Sequence, residues 1–304
     1  MNEPKRDLSA SVLARLLNRA KQAGDEYQAV LAGFCFERFL YRLGQSPVRD
    51  RFVLKGAMLL RLWMDTPYRA TRDLDLLRKG VGTSEAILSD IQGVCEMKVE
   101  PDGVSFDPGS IRLEAIRGED EYGGTRVLLT ARCGTARLPL QVDLGLGDAV
   151  WPAPKTCTYP SLLDFPAPRI LAYPREAAIA EKMEAIIVLG DRNSRIKDFF
   201  DLYHLAKLFE FDRVTLGEAM RKTFVRRRTP LPVEDPIGLT SVYWRNNSRP
   251  PQVVAFARRA HLSVGPDPGA EILPLLRSFL VPILDDLRTS KPHRGTWPPG
   301  GPWR

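Results

Sequence analysis

Apolar residues recur along the first half of the chain in a pattern that predicts alternating helices and strands. Residues 27–43 carry them at helical spacing, and a shorter helix begins earlier, at Ser9 or Ser11. The other predicted elements are strands at 52–54 and 73–77, helices at 57–64 and 84–92, and a three-stranded meander over 111–146 with turns at 122–124 and 133–135. This half is therefore predicted to be an α/β core.

The second half has helical periodicity throughout. It follows residues 151–174, which contain six prolines, and proline fits poorly inside helices and central strands. We expect 151–174 to be a crossover between a core at 1–150 and a helical domain at 175–288. The predicted helices are 175–189, 194–209, 216–226, 252–261 and 271–287. Residues 289–304 are rich in Pro, Gly and Trp and are expected to be disordered.

Composition adds three exclusions. A 304-residue chain with 44% hydrophobic and 27% charged residues is not disordered as a whole, and no apolar run approaches the roughly 18 residues of a membrane span. Four cysteines without CxxC spacing and three unpaired histidines argue against a disulfide framework, a zinc site or histidine-based metal chemistry. The N-terminus lacks the apolar core of a secretory signal, so we expect a cytoplasmic protein without a membrane partner.

The net charge of +7 and the pI near 9.3 favour a polyanionic partner, although a basic globular protein would show the same balance. Arg221, Lys222 and 226–228 form a basic cluster where an RNA backbone can lie, with Tyr243 and Trp244 as candidate stacking residues. The alternative is a solvated helix face followed by a proline-rich loop.

Three aspartates are candidate metal ligands. Asp73 and Asp75 alternate along a strand and so point to one side, while Leu74 and Leu76 point to the core. Asp143 stands on the polar face of another strand. If the two strands are neighbours, three carboxylates converge in the arrangement that holds two Mg²⁺ ions at a phosphoryl group. A strand with a solvated acidic face is the alternative for Asp73 and Asp75.

Lys55, Gly56 and Ala57 join the first strand to its helix, where exposed backbone N–H groups and the helix dipole make an anion site. An ordinary tight turn would use one glycine in the same way.

The helical half carries ionisable groups on apolar faces. At about 100° per residue, Asp198 and Asp201 fall inside the apolar arc of their helix, where a carboxylate needs a partner. Arg195 is a local candidate, and Lys182, at the edge of its own apolar arc, a distant one. Glu181 and Glu184 are expected on the solvated side. A structural buried ion pair and a functional cluster both fit this pattern, and Lys182 can also extend its ammonium to water.

Several motifs together resemble the AbiEii/AbiGii toxin family of nucleotidyltransferases, from about residue 10 to residue 288. They occur in the family's order and are FVLKGA (52–57), RDLDL (72–76), VDLGLGDAV (142–150), AEKMEA (180–185), RIKDFFDLY (195–203) and RRRTPLP (226–232). The resemblance implies a polymerase-β-like nucleotidyltransferase core with a mixed sheet, in the α/β (α+β) class, followed by a helical domain that completes the site.

The resemblance also implies a function. The family acts in bacterial toxin–antitoxin or phage-defence pairs, so we expect an antitoxin partner and Mg²⁺-dependent transfer of a nucleotidyl group from an NTP to RNA, at the tRNA acceptor end. The implied metal ligands are Asp73, Asp75 and Asp143, and the implied catalytic residues are Asp73, Asp75, Lys182 and Asp198. Lys55, Gly56, Ala57 and Arg195 are the implied nucleotide-binding residues.

The family pattern leaves alternatives open. Ala57 stands where the wider superfamily often has Gly or Ser, which leaves the backbone N–H to contact phosphate. The acceptor can be a protein or a small molecule instead of RNA, or the chain can be a non-catalytic RNA- or antitoxin-binding module. Intact Asp73, Asp75, Lys182 and Asp198 argue against a decayed site.

Overall fold

The computed structural model describes residues 7–64, 71, 73–80, 82–116, 124–246, 249–260, 262, 265 and 267–304. The first part of the predicted turn at 122–124 and Arg72 of the RDLDL motif lie outside these residues. The chain forms two compact units, the first from Met1–Gly147 and Lys155–Ala172 and the second from Asp148–Pro154 and Tyr173–Arg304. No helix within the described part of the chain is long and apolar enough to cross a membrane.

The first unit is built on a seven-stranded mixed sheet with the order β3-β4-β5-β2-β1-β7-β6. Strands β1 and β2 pair antiparallel, whereas β2 pairs with β5, and β1 with β7, in parallel. The strands are β1 (Phe52–Lys55), β2 (Leu74–Arg78), β3 (Val104–Ile116), β4 (Gly124–Cys133), β5 (Ala136–Leu146), β6 (Lys155–Thr158) and β7 (Arg169–Ala172). The mixed α/β class expected from the sequence is confirmed.

The described residues of this unit form the helices α1 (Leu8–Ala23), α2 (Tyr27–Gln45), α3 (Met58–Trp63) and α4 (Ser84–Cys95). Helix α1 begins after Asp7, whose side chain accepts hydrogen bonds from the N–H groups of Ser9 and Ala10. It ends at Gly24, which adopts the left-handed conformation that glycine favours. The cysteines are free thiols, as the spacing predicted.

The second unit is helical, with a small ribbon near the C-terminus. Its helices are α5 (Arg175–Leu189), α6 (Ile196–Leu208), α7 (Arg213–Arg226), α8 (Ser241–Arg245), α9 (Arg249–Arg259) and α10 (Pro268–Thr289). Strand β8 (Phe211–Asp212) pairs antiparallel with β9 (Thr296–Trp297). Phe199, Tyr243 and Trp244 pack ring against ring in the core of this unit.

Two sequence predictions about connecting segments need correction. The proline-rich segment 151–174 contains strands β6 and β7, and every one of its prolines lies outside those strands, where no ladder hydrogen bond is lost. The expectation of a disordered tail at 289–304 is also wrong. Strand β9 lies there, and the side chain of Trp297 is fully buried.

Candidate active site

A row of charged side chains crosses four neighbouring strands of the first unit. Asp75 on β2 lies opposite Lys55 on β1 and opposite Asp143 on β5. Arg126 on β4 lies opposite Asp143 from the other side. Residues directly opposite each other in a sheet face the same side, so these four side chains share one face. The leucines that flank Asp75 are buried, whereas the four charged residues are half-buried.

Asp73, Asp75 and Asp143 form a tight acidic cluster. One carboxylate oxygen from each lies within 4.8 Å of the others. Asp73 directly precedes β2, and the Thr71 hydroxyl donates to its Oδ1 at 2.5 Å. Carboxylates this close repel one another unless a cation lies among them, and hard oxygen ligands suit Mg²⁺. Strands β2 and β5 are neighbours, which is the condition under which the sequence led us to expect the three carboxylates to converge.

Gly56 is required at its position for two reasons. Its φ angle of +70° lies in the left-handed region, and a Cβ atom there would collide with the Asp75 carboxylate. The backbone of the loop therefore closes directly on the acidic cluster. Helix α3 follows but has six residues, which is too short for the strong dipole that the sequence led us to expect. An anion at this loop would be held by backbone N–H groups instead.

Asp143 has protein partners in addition to its neighbouring carboxylates. Arg126 Nε and Nη2 each lie 2.9 Å from a different oxygen of Asp143, and Gln141 Nε2 donates to Oδ2 at 3.1 Å. The hydrogen bond with Asp143 raises the pKa of Arg126, which is fully cationic at neutral pH. The sequence analysis missed Arg126. Its position on β4 faces outward, whereas its neighbours Val127 and Leu129 are buried.

The second unit contains a separate ionic cluster between α5 and α6. Lys182 Nζ lies 2.9 Å from Asp198 Oδ1 and 2.6 Å from Asp201 Oδ2, and Arg195 Nε lies 2.6 Å from Asp198 Oδ2. Both aspartates are buried, as the helical rotation predicted, and both predicted partners of Asp198 are in place. Burial alone would raise the pKa of Asp198, but the charges of Lys182 and Arg195 outweigh it and lower that pKa below its usual value. Asp198 is therefore an anion at neutral pH.

The comparisons with known proteins agree with this geometry. A family model described as "Nucleotidyl transferase AbiEii toxin, Type IV TA system" matches residues 38–262, which is more than half of the chain. The chain belongs to this AbiEii family. It is thus a toxin-type nucleotidyltransferase of a type IV toxin–antitoxin family, and the resemblance noted from the motifs is confirmed.

A solved structure shows the same fold as this AbiEii-family chain. MenT4, a nucleotidyltransferase toxin from Mycobacterium tuberculosis H37Rv, is similar with a TM-score of 0.58 and 20% identity, over 93% of this chain and 91% of that chain. JHP933 from Helicobacter pylori has a TM-score of 0.43 and 14% identity, over 86% and 99% of the two chains, which is too weak to support an argument. A comparison with curated proteins finds no match.

A loop before α6 fixes Arg195 in this AbiEii-family protein, and the sequence did not reveal it. Asn193 is fully buried, and its Oδ1 accepts a hydrogen bond from the Arg195 N–H at 2.8 Å. The carbonyl of Asn193 accepts from the Tyr243 hydroxyl at 2.7 Å and from Arg249 Nη1 at 2.6 Å. The loop is thus tied to α8 and α9. Asn193 gives no signal in the sequence, because its partners come from distant parts of the chain.

The carboxylates predicted on the solvated side of α5 are buried or half-buried. Glu184 is buried, and Glu181 is 17% exposed. Arg227 lies among both of them and Asp148, with Nη1 donating to Glu184 Oε2 at 2.9 Å and Nη2 to Asp148 Oδ1 at 3.1 Å. Burial would lower the pKa of Arg227, but the three carboxylates outweigh it and hold that pKa well above its usual value. Arg227 is therefore a half-buried cation held by three carboxylates, and not a fully exposed one as expected for the RNA cluster.

The aromatic residues predicted to stack on RNA are also in the core. Tyr243 and Trp244 are buried at 2% and 7% exposure. Trp151 is instead exposed at 39%, and Lys222 Nζ lies 4.0 Å from the centre of its ring. Arg221, Arg226 and Arg228 are exposed, and Arg221 pairs with Glu218 at 2.7 Å. A basic surface therefore exists on α7, with a different tryptophan beside it.

Proposed function

We propose that the chain transfers a nucleotidyl group from an NTP to an RNA hydroxyl, at the tRNA acceptor end, using Mg²⁺ held by Asp73, Asp75 and Asp143. The observation that carries this proposal is the convergence of three carboxylate oxygens within 4.8 Å, beside a glycine loop that closes on Asp75. The donor set fits a hard divalent cation. When bound, Mg²⁺ would neutralise charge on the departing pyrophosphate and polarise the attacking hydroxyl.

The residues around the cluster have distinct roles in this proposal. Ala57 has no side-chain hydroxyl that could contact phosphate. The triphosphate is therefore bound by the backbone N–H groups at Gly56 and Ala57. Lys55 places positive charge on the same sheet face and favours the anionic substrate. Asp73 is held by Thr71, so its carboxylate keeps one orientation. Such catalysis is largely positioning plus electrostatic stabilisation.

We assign phosphate contacts to Lys182 and Arg195 and a positioning role to Asp198, for which the family resemblance implied a catalytic role. Lys182 is 17% and Arg195 48% exposed, so both cations reach the surface of the second unit. Asp198 is buried and ionised, and its ion pairs hold Lys182 and Arg195 in place.

A labelled-nucleotide assay tests the reaction. The protein is incubated with Mg²⁺, total bacterial RNA and each α-labelled NTP in turn. We expect label on RNA of tRNA size, at least about 100-fold less with Asp75→Asn, and wild-type label with Asp50→Asn, whose side chain is 80% exposed. Equal labelling by Asp75→Asn and wild type would refute the assignment of the site.

The same assay separates the other acceptors and functions. Label on protein or on a small molecule would move the acceptor away from RNA. The absence of label with every NTP, together with no Mg²⁺-dependent stabilisation by NTPs, would favour a binding module. Because the family belongs to a type IV toxin–antitoxin system, the proposed protein partner is a cognate antitoxin. Phage defence is proposed as the setting only from the motif resemblance.

The RNA backbone is proposed to lie along Arg221, Lys222, Arg226 and Arg228, with Trp151 as the stacking residue. Lys222 and Arg226 are one turn apart on α7, and Trp151 lies against Lys222. We expect Arg221→Ala combined with Arg226→Ala to weaken tRNA binding and to reduce the slope of its salt dependence by about one unit for each phosphate that the protein no longer neutralises. The control is Arg258→Ala, an exposed arginine on α9. An unchanged salt slope would contradict this surface.

A further inference from the structure

Arg126 occupies the acidic cluster in the way that a bound cation would. Its guanidinium contacts both oxygens of Asp143, each at 2.9 Å, and a planar guanidinium matches a carboxylate in this two-bond arrangement. Both oxygens are therefore engaged by a protein cation. The charges of Glu114 and Asp73 also stabilise the cationic form of Arg126 and raise its pKa.

Three further observations indicate that the ion pair between Arg126 and Asp143 can open. Arg126 is 37% exposed, so its guanidinium reaches solvent without crossing the core. Strands β4 and β5 pair continuously from Thr125 to Cys133, so their pairing does not depend on this ion pair. Gln141 Nε2 also donates to Asp143 Oδ2, so this carboxylate has a second partner besides Arg126.

We propose that Arg126 is a displaceable counter-cation, which neutralises Asp143 in the metal-free protein and releases it when a divalent cation binds. This inference rests on the proposed function, because it assumes that the cluster of Asp73, Asp75 and Asp143 holds a metal. Arg126 and the metal compete for the same negative charge. The released guanidinium stays on β4 beside the cluster, where it attracts the anionic triphosphate. Arg126 is thus a positioning residue whose partner changes from carboxylate to substrate.

Competition between Arg126 and the metal predicts that removing the guanidinium strengthens metal binding and weakens nucleotide binding. We expect Arg126→Met to bind Mn²⁺, used as a calorimetric probe in place of Mg²⁺, about tenfold more tightly than wild type, because no guanidinium has to be displaced. The same variant should have a several-fold higher KM for the NTP, because the charge that attracts it is gone. An arginine that merely supports the fold would weaken both together.

Two further variants serve as controls. Arg132→Met removes a cation from the same strand, 52% exposed and 3.9 Å from Asp107 outside the cluster, and should leave Mn²⁺ affinity unchanged. Arg126→Lys keeps the charge but not the two-bond geometry, so its Mn²⁺ affinity should lie between those of wild type and Arg126→Met. Circular dichroism and urea unfolding confirm that each variant is folded before binding is measured.

The outcomes separate this inference from the proposed function. Mn²⁺ binding by wild type with equal or weaker binding by folded Arg126→Met overturns the exchange and leaves the metal site standing. Tighter binding by Arg126→Met, or binding by that variant where wild type shows none, supports the exchange. If neither protein binds Mn²⁺, both the metal site and the exchange are wrong.

Discussion

The contact between the β1–α3 loop and Asp75 requires a residue without a side chain at Gly56. The residue has a φ angle of +70°, and Gly80, at the far end of β2, has +82°. A Cβ atom on Gly56 would collide with the Asp75 carboxylate, whereas a Cβ atom on Gly80 meets nothing within 4 Å. The two glycines share the backbone strain but differ in what a side chain would meet.

We expect Gly56→Ala to lower nucleotidyl transfer by about 100-fold, because the loop or the Asp75 carboxylate has to move. Gly56→Ala and Gly80→Ala should both lower the free energy of unfolding by about 1–2 kcal/mol, because each places a side chain on a left-handed backbone. Gly80→Ala should nevertheless keep its activity. Urea unfolding and the labelled-NTP assay measure the two effects. Equal activity losses in both variants would mean that strain, and not the collision with Asp75, matters.

At the same scale, the sequence predicted some buried charges and missed others for a physical reason. Helical rotation placed Asp198 and Asp201 inward correctly, because α6 has one clear apolar arc. Rotation placed Glu184 in solvent, but α5 packs against both α6 and α7, so two of its faces are covered. A helical wheel shows which residues share a face but not how many neighbours the helix has. Arg227, the partner of Glu184, lies at the end of α7, far along the chain from α5. No local sequence pattern indicates this contact.

At the scale of elements, the ion pairs of Lys182 join α5 to α6. Lys182→Met leaves Asp198 and Asp201 buried without this cation, and breaking a buried pair from one side costs about 3–5 kcal/mol. In wild type the pKa of Asp198 lies below its unfolded value, so the stabilisation is present above about pH 4 and is lost as pH falls through the folded pKa. Without Lys182, burial is less opposed and raises the pKa of Asp198, so the variant should lose most stability at neutral pH and less where this carboxylate takes up a proton.

Urea unfolding at pH 7, 5.5 and 4.5 measures this loss. The difference in unfolding free energy between wild type and Lys182→Met should shrink toward pH 4.5, as the abandoned carboxylates take up protons. Lys197→Met removes an exposed cation from α6 and should change stability by less than about 0.5 kcal/mol at every pH. A loss that is the same at all three pH values would show that packing of the Lys182 side chain, and not its charge, is responsible.

Elements were predictable where the pattern was long and local. Helices α2 and α5 and strands β1 and β2 lie close to where periodicity placed them. Strands β6 and β7 were missed because they lie between prolines, and because β7 is held by a parallel pairing with β1, more than one hundred residues earlier. The convergence of Asp75 and Asp143 likewise depends on a pairing between β2 and β5 that the sequence suggested but did not determine.

At the scale of the whole chain, the C-terminal residues complete the core of the second unit. Trp297 is fully buried, its Nε1 donates to the Ala206 carbonyl at 2.7 Å, and its ring lies 4.8 Å from that of Phe279. Trp303 stacks on Phe279 at 5.8 Å. A composition rich in Pro and Gly suggested disorder. Composition alone does not show that two tryptophans of this segment pack into an apolar site.

Trp297→Ala is therefore expected to destabilise the second unit by about 3–5 kcal/mol, because it removes a large buried ring and leaves the Ala206 carbonyl without its indole partner. Trp151→Ala removes a tryptophan that is 39% exposed and should cost less than about 1 kcal/mol. Urea unfolding followed by circular dichroism at 222 nm, which reports on helices, compares the two. If Trp297→Ala were as stable as Trp151→Ala, the segment after α10 would be an appendage, and the core of the second unit would end with α10.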